Sequence, residues 1–163
     1  MAIGTSTAQA ANPAMTVGAA AHDWLWFDSA IGPLPIYRIF DTGGFHYDTW
    51  QQTAAYQKHP NAPQFDYSFD ILPQRLTDPN DPINDKIRSF LATTPKNLII
   101  TDYHEPDYAS GTYGLFTPAQ FRAGILALAD MVRAQNAIDG GHRMTSVILM
   151  TITFAGNWST SAS

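Results

Sequence analysis

The strongest constraint on this chain is a rhythm. Short β-branched and aromatic runs alternate with amphipathic stretches from about residue 16 onward. Thr16 to Ala21 is a small-residue strand candidate, followed by His22 to Ile31 as a short helix or loop that stops at Gly32-Pro33. Pro35 to Phe40 forms a second strand, ending at Asp41-Thr42-Gly43-Gly44. Asp48 to Lys58 has the composition of a helix with Asp48 as N-cap. Gln64 to Ile71 is a third strand with Phe65, Tyr67, Phe69 and Ile71 alternating along one face. Asp81-Pro82 opens a helix with Ile83, Ile87, Phe90 and Leu91 at helical spacing. Asn97 to Tyr103 is a fourth strand. Thr117-Pro118-Ala119-Gln120 is a capping box in front of the stripe Phe121, Ile125, Leu128, Val132, and that helix stops at Asp139-Gly140-Gly141. Ser146 to Phe154 is a fifth, continuously apolar strand.

Strands that alternate with helices predict an α/β protein with a parallel sheet. The strands begin roughly every 30 residues, and eight such units need about 250 residues, the size of a (β/α)8 barrel. Five units in 163 residues fit two architectures: a partial barrel, or a five-stranded doubly wound sheet. The organisation read from the chain is an N-terminal arm over residues 1–16, a folded unit over 17–158 and a Ser/Thr-rich tail over 159–163.

Composition removes several function classes. The formal net charge is −5, with no basic patch, so a nucleic-acid or anionic-membrane partner is not expected. There is no cysteine, which excludes disulfides, thiolate catalysis and Cys-based zinc sites. No apolar run reaches the length of a membrane span, and the Ala/Thr/Ser-rich first residues lack the cationic and apolar regions of a signal peptide. Gly43-Gly44 and Gly140-Gly141 are not phosphate loops, and no metal-ligand spacing is present, so neither a cofactor nor a metal is expected.

One residue stands apart. Of 14 acidic residues Glu105 is the single glutamate, and it follows the fourth strand in Tyr103-His104-Glu105-Pro106. Parallel α/β folds place their sites at the carboxyl ends of strands, and the following proline disfavours helix at Glu105. A carboxyl group at such a rim, beside Tyr103, Tyr108 and His104, has surroundings that suit acid/base work on a glycosidic bond. Read without that chemistry, His-Glu-Pro is loop punctuation. Asp41 and Asp70 end strands two and three, where they serve either sugar hydroxyls or turn formation. Phe45, His46 and Tyr47 follow the Gly-Gly pair as a candidate aromatic platform or a packed loop. Trp24 and Trp26 read as core, and Trp158 as a rim residue able to line a sugar site.

Together, Tyr37-Arg38-Ile39-Phe40-Asp41, His59-Pro60-Asn61-Ala62-Pro63, Tyr103-His104-Glu105-Pro106, Phe116 to Arg122 and Val147 to Phe154 resemble glycoside hydrolase family 26, the β-mannanase group. The likeness is to such proteins of actinobacteria and their phages, and it spans residues 17 to 158. It implies a (β/α) barrel and a retaining endo-β-glycanase acting on a polysaccharide. Glu105 would be the general acid/base, His104 its substrate-binding neighbour, and Asp41 part of the site. Tyr103, Tyr108, His46 and Trp158 are the further substrate-contact candidates. The substrate class implies an extracellular or virion-associated setting. The family's nucleophile is a second glutamate on a seventh strand, and this sequence has no second glutamate. A glycan-binding or structural protein, for instance of a phage tail, is therefore the rival reading, and a small doubly wound ligand-binding domain is a third. A five-stranded partial barrel would also expose two sheet edges and its inner face, which predicts a homo-oligomer or a partner chain covering them.

Overall fold

The computed structural model describes residues 18–20, 36–59, 64–94, 98–103, 114–140 and 144–147. It is an α/β fold in which parallel strands alternate with helices. The strands are β1 (Gly18–Ala20), β2 (Ile36–Asp41), β3 (Gln64–Phe69), β4 (Leu98–Asp102) and β5 (Met144–Val147). They form one parallel sheet in the order β1-β2-β3-β4-β5. The order follows the chain without reversal. A doubly wound sheet has a switch point where the strand order turns back, so that expectation is corrected: the crossovers all proceed in one direction across the sheet.

Register divides the sheet into two unlike faces. Tyr37, Phe65 and Leu98 lie side by side, then Ile39, Tyr67 and Ile100, then Asp41, Phe69 and Asp102. Most of these positions are fully buried. Rings from the connecting segments complete the core. Phe45 meets Phe69 and Phe90 edge-on, each at 5.0 Å, and Trp50 meets Phe65 edge-on at 4.9 Å. Such edge-to-face pairs contribute about 0.5–1.5 kcal/mol each beyond the area they bury. The alternate face carries Arg38, Asp66 and Ile99 in one row and Phe40, Ser68 and Thr101 in the next. There Arg38 lies 3.5 Å from Asp66 and covers the Phe40 ring at 4.9 Å.

The helices are α1 (Ala54–Lys58), α2 (Pro73–Thr77), α3 (Pro82–Thr93) and α4 (Pro118–Ile138). Two are capped as the sequence predicts: the Asp81 side chain accepts from Ile83 N–H at the start of α3, and Thr117 and Gln120 form the reciprocal box of α4. The segment Asp48–Lys58 departs from the single expected helix. Thr49 opens a 3-10 turn over Trp50–Gln52, and Thr53 then caps the separate helix α1. The break has a local cause, because Thr53 holds an extended backbone and its hydroxyl donates back to the Trp50 carbonyl. Helix α2 was not expected, since Ile71-Leu72-Pro73 reads as a turn; Pro73 sits at its first position, where a missing N–H costs nothing. Strand β5 begins earlier than expected, at Met144, and residues 148–154 of the expected strand lie outside the described residues, as do the candidate helix His22–Ile31 and both Trp24 and Trp26.

Gly124 sets the approach of α4 to α2. A Cβ added there would lie 2.7 Å from Pro73 Cβ and 2.9 Å from its Cα, neither of which can swing away. Alanine is favoured over glycine in a helix interior by about 1 kcal/mol, while overpacking costs about 1–3 kcal/mol. Gly124→Ala is expected to lower the urea midpoint, with a net loss on the order of 1 kcal/mol. An unchanged or raised midpoint would show that the α2–α4 contact is not close-packed.

Candidate functional site

The sheet register brings two carboxyl groups to one level at the carboxyl end. Asp41 of β2 and Asp102 of β4 both lie opposite Phe69 of β3. With adjacent strands about 4.8 Å apart, their backbones are separated by roughly 10 Å. Asp70 follows Phe69 and joins this rim: its backbone N–H donates to the Gly44 carbonyl and its carboxylate accepts from Gly43 N–H, both at 3.4 Å. Gly43 and Gly44 take φ of 80° and 150°, values that suit the absence of a side chain in the turn leaving β2.

Asp41 is buried and fully engaged. Its Oδ2 accepts from His46 N–H at 2.8 Å and from the Tyr67 hydroxyl at 2.6 Å. Its Oδ1 lies 2.5 Å from His46 Nδ1. Burial first, and then the Asp41 hydrogen bond and charge, push the Tyr67 hydroxyl far above its ordinary range, so it stays a proton donor. Of the three residues in Phe45-His46-Tyr47, only His46 is exposed. Phe45 is a core residue, so for it the packed loop holds and the aromatic platform does not. Lys86 of α3 donates to the His46 carbonyl at 3.2 Å and lies 3.5 Å from Asp48.

Asp102 is completely buried. Its Oδ1 accepts from Ile71 N–H at 2.9 Å, which ties the end of β4 to the chain between β3 and α2. Among the described residues its Oδ2 has no hydrogen-bond partner. Burial raises this carboxyl well above the ordinary carboxylate range; the Ile71 N–H opposes that shift and the nearby Asp70 charge adds to it. Tyr103 follows with φ of 52°, an uncommon conformation for a residue with a large side chain. Its N–H donates to the Phe69 carbonyl at 2.8 Å, and its ring packs edge-on against Phe116 at 4.9 Å. Burial, with the Asp102 and Asp70 charges, pushes the Tyr103 hydroxyl up to about 12.

The structure thus gathers Asp41, His46 and Tyr103 from the expected site residues onto the rim formed by β2, β3 and β4. His104, Glu105, Tyr108 and Trp158 lie outside the described residues. Asp102 and the Tyr67 hydroxyl join the rim as polar groups that the sequence does not single out; the signal for both was their place on the buried face of a strand. Among the described residues, no group of three or more metal-ligating side chains converges. An open groove of about 620 Å³ lies elsewhere, lined by residues of α2, α3, α4 and the turn between α2 and α3 and by none from the strand ends.

The state of Asp102 has a measurable consequence. A carboxyl whose folded pKa exceeds its unfolded value binds more protons when folded, so its contribution to stability is full below the unfolded value and is lost as pH rises through the folded one. Asp102→Asn keeps the acceptor for Ile71 N–H and removes the ionisation. Urea midpoints taken from pH 4 to pH 9 should fall with rising pH less steeply in the variant than in the parent. Parallel curves would show that Asp102 ionises in the folded state as it does in the unfolded one.

Compared with known proteins, the chain matches no family model, no curated protein and no solved structure.

Proposed function

We propose that this chain is a glycoside hydrolase-like (β/α)-barrel domain acting on a polysaccharide, with Glu105 as general acid/base. The observation that carries the reading is the place where β4 ends. The strand lies inside a sheet whose order follows the chain, as barrel strands do, and it closes on a buried carboxyl. Tyr103 then leaves it in a left-handed backbone, directly before His104-Glu105-Pro106. Backbone held in such a region clusters at functional sites, where the surrounding structure sustains it. In a barrel, the face bearing Arg38, Phe40, Asp66 and Ser68 is the interior, and the rim bearing His46, Asp70 and Tyr103 faces the glycan.

Glu105 would protonate the leaving glycosidic oxygen and then deprotonate the attacking water. His104, Tyr103, Tyr108 and Trp158 would contact sugar rings and hydroxyls. Retention needs a second carboxylate about 5 Å from the first. A specific observation favours a second reading, a glycan-binding protein without hydrolytic activity: Glu105 is the only glutamate, and Asp41 and Asp102 are committed to internal hydrogen bonds.

Reducing-sugar release from β-mannan and β-glucan separates the two. Activity that falls by about 10²–10⁴ in Glu105→Gln supports the hydrolase, since that is the usual contribution of a general acid/base. Retention of the polysaccharide in affinity electrophoresis, without release in either protein, supports the binding reading. A chain that neither binds nor cleaves these glycans overturns both.

A further inference from the structure

The sequence offers Asp41 either to sugar hydroxyls or to turn formation, and in the structure each of its oxygens is already engaged. Its neighbour is placed differently. The His46 side chain is 57 % exposed, while that of Asp41 is 6 % exposed. Nδ1 of His46 faces Asp41, and among the described residues no group partners Nε2. Gly44 lies beside that edge of the ring: a Cβ there would come within 3.5 Å of Cε1 and 3.6 Å of Nε2. Such a Cβ would be in ordinary van der Waals contact with that edge of the ring.

We propose that Tyr67, Asp41 and His46 form a fixed relay whose outer end, Nε2 of His46, is a hydrogen-bond acceptor for a saccharide hydroxyl. Asp41 is then a positioning residue that the ligand does not touch. The identity of the ligand rests on the glycan reading above; the relay does not.

The proton inventory follows from the donors. The His46 backbone N–H can only donate, and Tyr67 keeps its proton, so Oδ2 of Asp41 receives two donors. Oδ1 at 2.5 Å accepts from the imidazole, which places the ring proton on Nδ1 and leaves the Nε2 lone pair outward in the neutral ring. The nearby ion pair of Lys86 and Asp48 meets His46 at its backbone carbonyl. A sugar hydroxyl arriving at the rim would therefore find one oriented acceptor.

Replacing the carboxylate by an amide reverses this. In Asp41→Asn the amide oxygen is expected at the Oδ2 position, where it can accept from the His46 backbone N–H and the Tyr67 hydroxyl as the carboxylate does. The amide NH2 then faces Nδ1, which can accept only if the ring proton has moved to Nε2. The outward atom becomes a donor, as happens when an amide replaces the carboxylate of a catalytic dyad.

Nitrogen-15 NMR of imidazole-labelled protein at pH 8 reads the tautomer directly. The expected result is a protonated Nδ1 and an unprotonated Nε2 on His46, exchanged in Asp41→Asn. On titration with mannohexaose or cellohexaose, the His46 Nε2 signal should move, and His46→Ala should bind about tenfold more weakly, the loss of one good hydrogen bond. A proton found on Nε2 in the unmodified protein overturns the relay, with no dependence on how well a variant folds. Equal affinity in His46→Ala overturns the ligand contact. If neither oligosaccharide binds while the proton sits on Nδ1, the relay stands, and both the ligand contact and the glycan reading fall.

Discussion

The in-register parallel pairing of β2, β3 and β4 is the constraint from which the rest follows. Because side chains alternate across a strand, one register places Tyr37, Phe65 and Leu98 in a common row, and Asp41, Phe69 and Asp102 in the last row of the same face. A slip of one residue would turn the aromatic rows to the opposite face and bring Arg38, Asp66 and Ser68 against the helices. Such a slip is unfavourable because it would part the strand rings Phe65, Tyr67 and Phe69 from the edge-on contacts that Phe45 and Trp50 make with them.

The polar groups at the end of that face are shaped by the same packing. Buried carboxyl groups are tolerated when they are hydrogen-bonded or neutral, and the rim shows both solutions. Asp41 is surrounded by donors from His46 and Tyr67. Asp102 is completely buried, with Ile71 N–H on one oxygen and the charge of Asp70 nearby, and burial above all drives its carboxyl toward the neutral form. Two aspartates at the same level of one sheet thus have different surroundings. The first orients an exposed imidazole; the second stitches β4 to the loop leading into α2.

Much of this organisation was legible in the sequence where the signal was periodic. The alternation of Phe65, Tyr67 and Phe69, the stripe of Ile83, Ile87, Phe90 and Leu91, and the capping box at Thr117 each specify an element from local chemistry, and each is found in place. The segment Asp48–Lys58 misled because its composition suits a helix, while the hydroxyl of Thr53 offered the backbone a competing partner. The sequence leaves Phe45 open between a rim platform and a packed loop, because its packing on Phe90, 45 residues away, is revealed by no local pattern.

The sequence by itself determined the alternation of strand and helix, the helix starts at Asp81 and Thr117, and the solitary glutamate after the fourth strand, because these depend on contacts within a few residues. Tertiary structure decided what depends on contacts between strands. The strand order without reversal, the shared level of Asp41 and Asp102 and the hydrogen bond from Tyr67 to Asp41 across 26 residues all required β2, β3 and β4 to be laid side by side. Partnership between residues far apart in a chain is a property of register, and register is selected by the packing of the whole buried face.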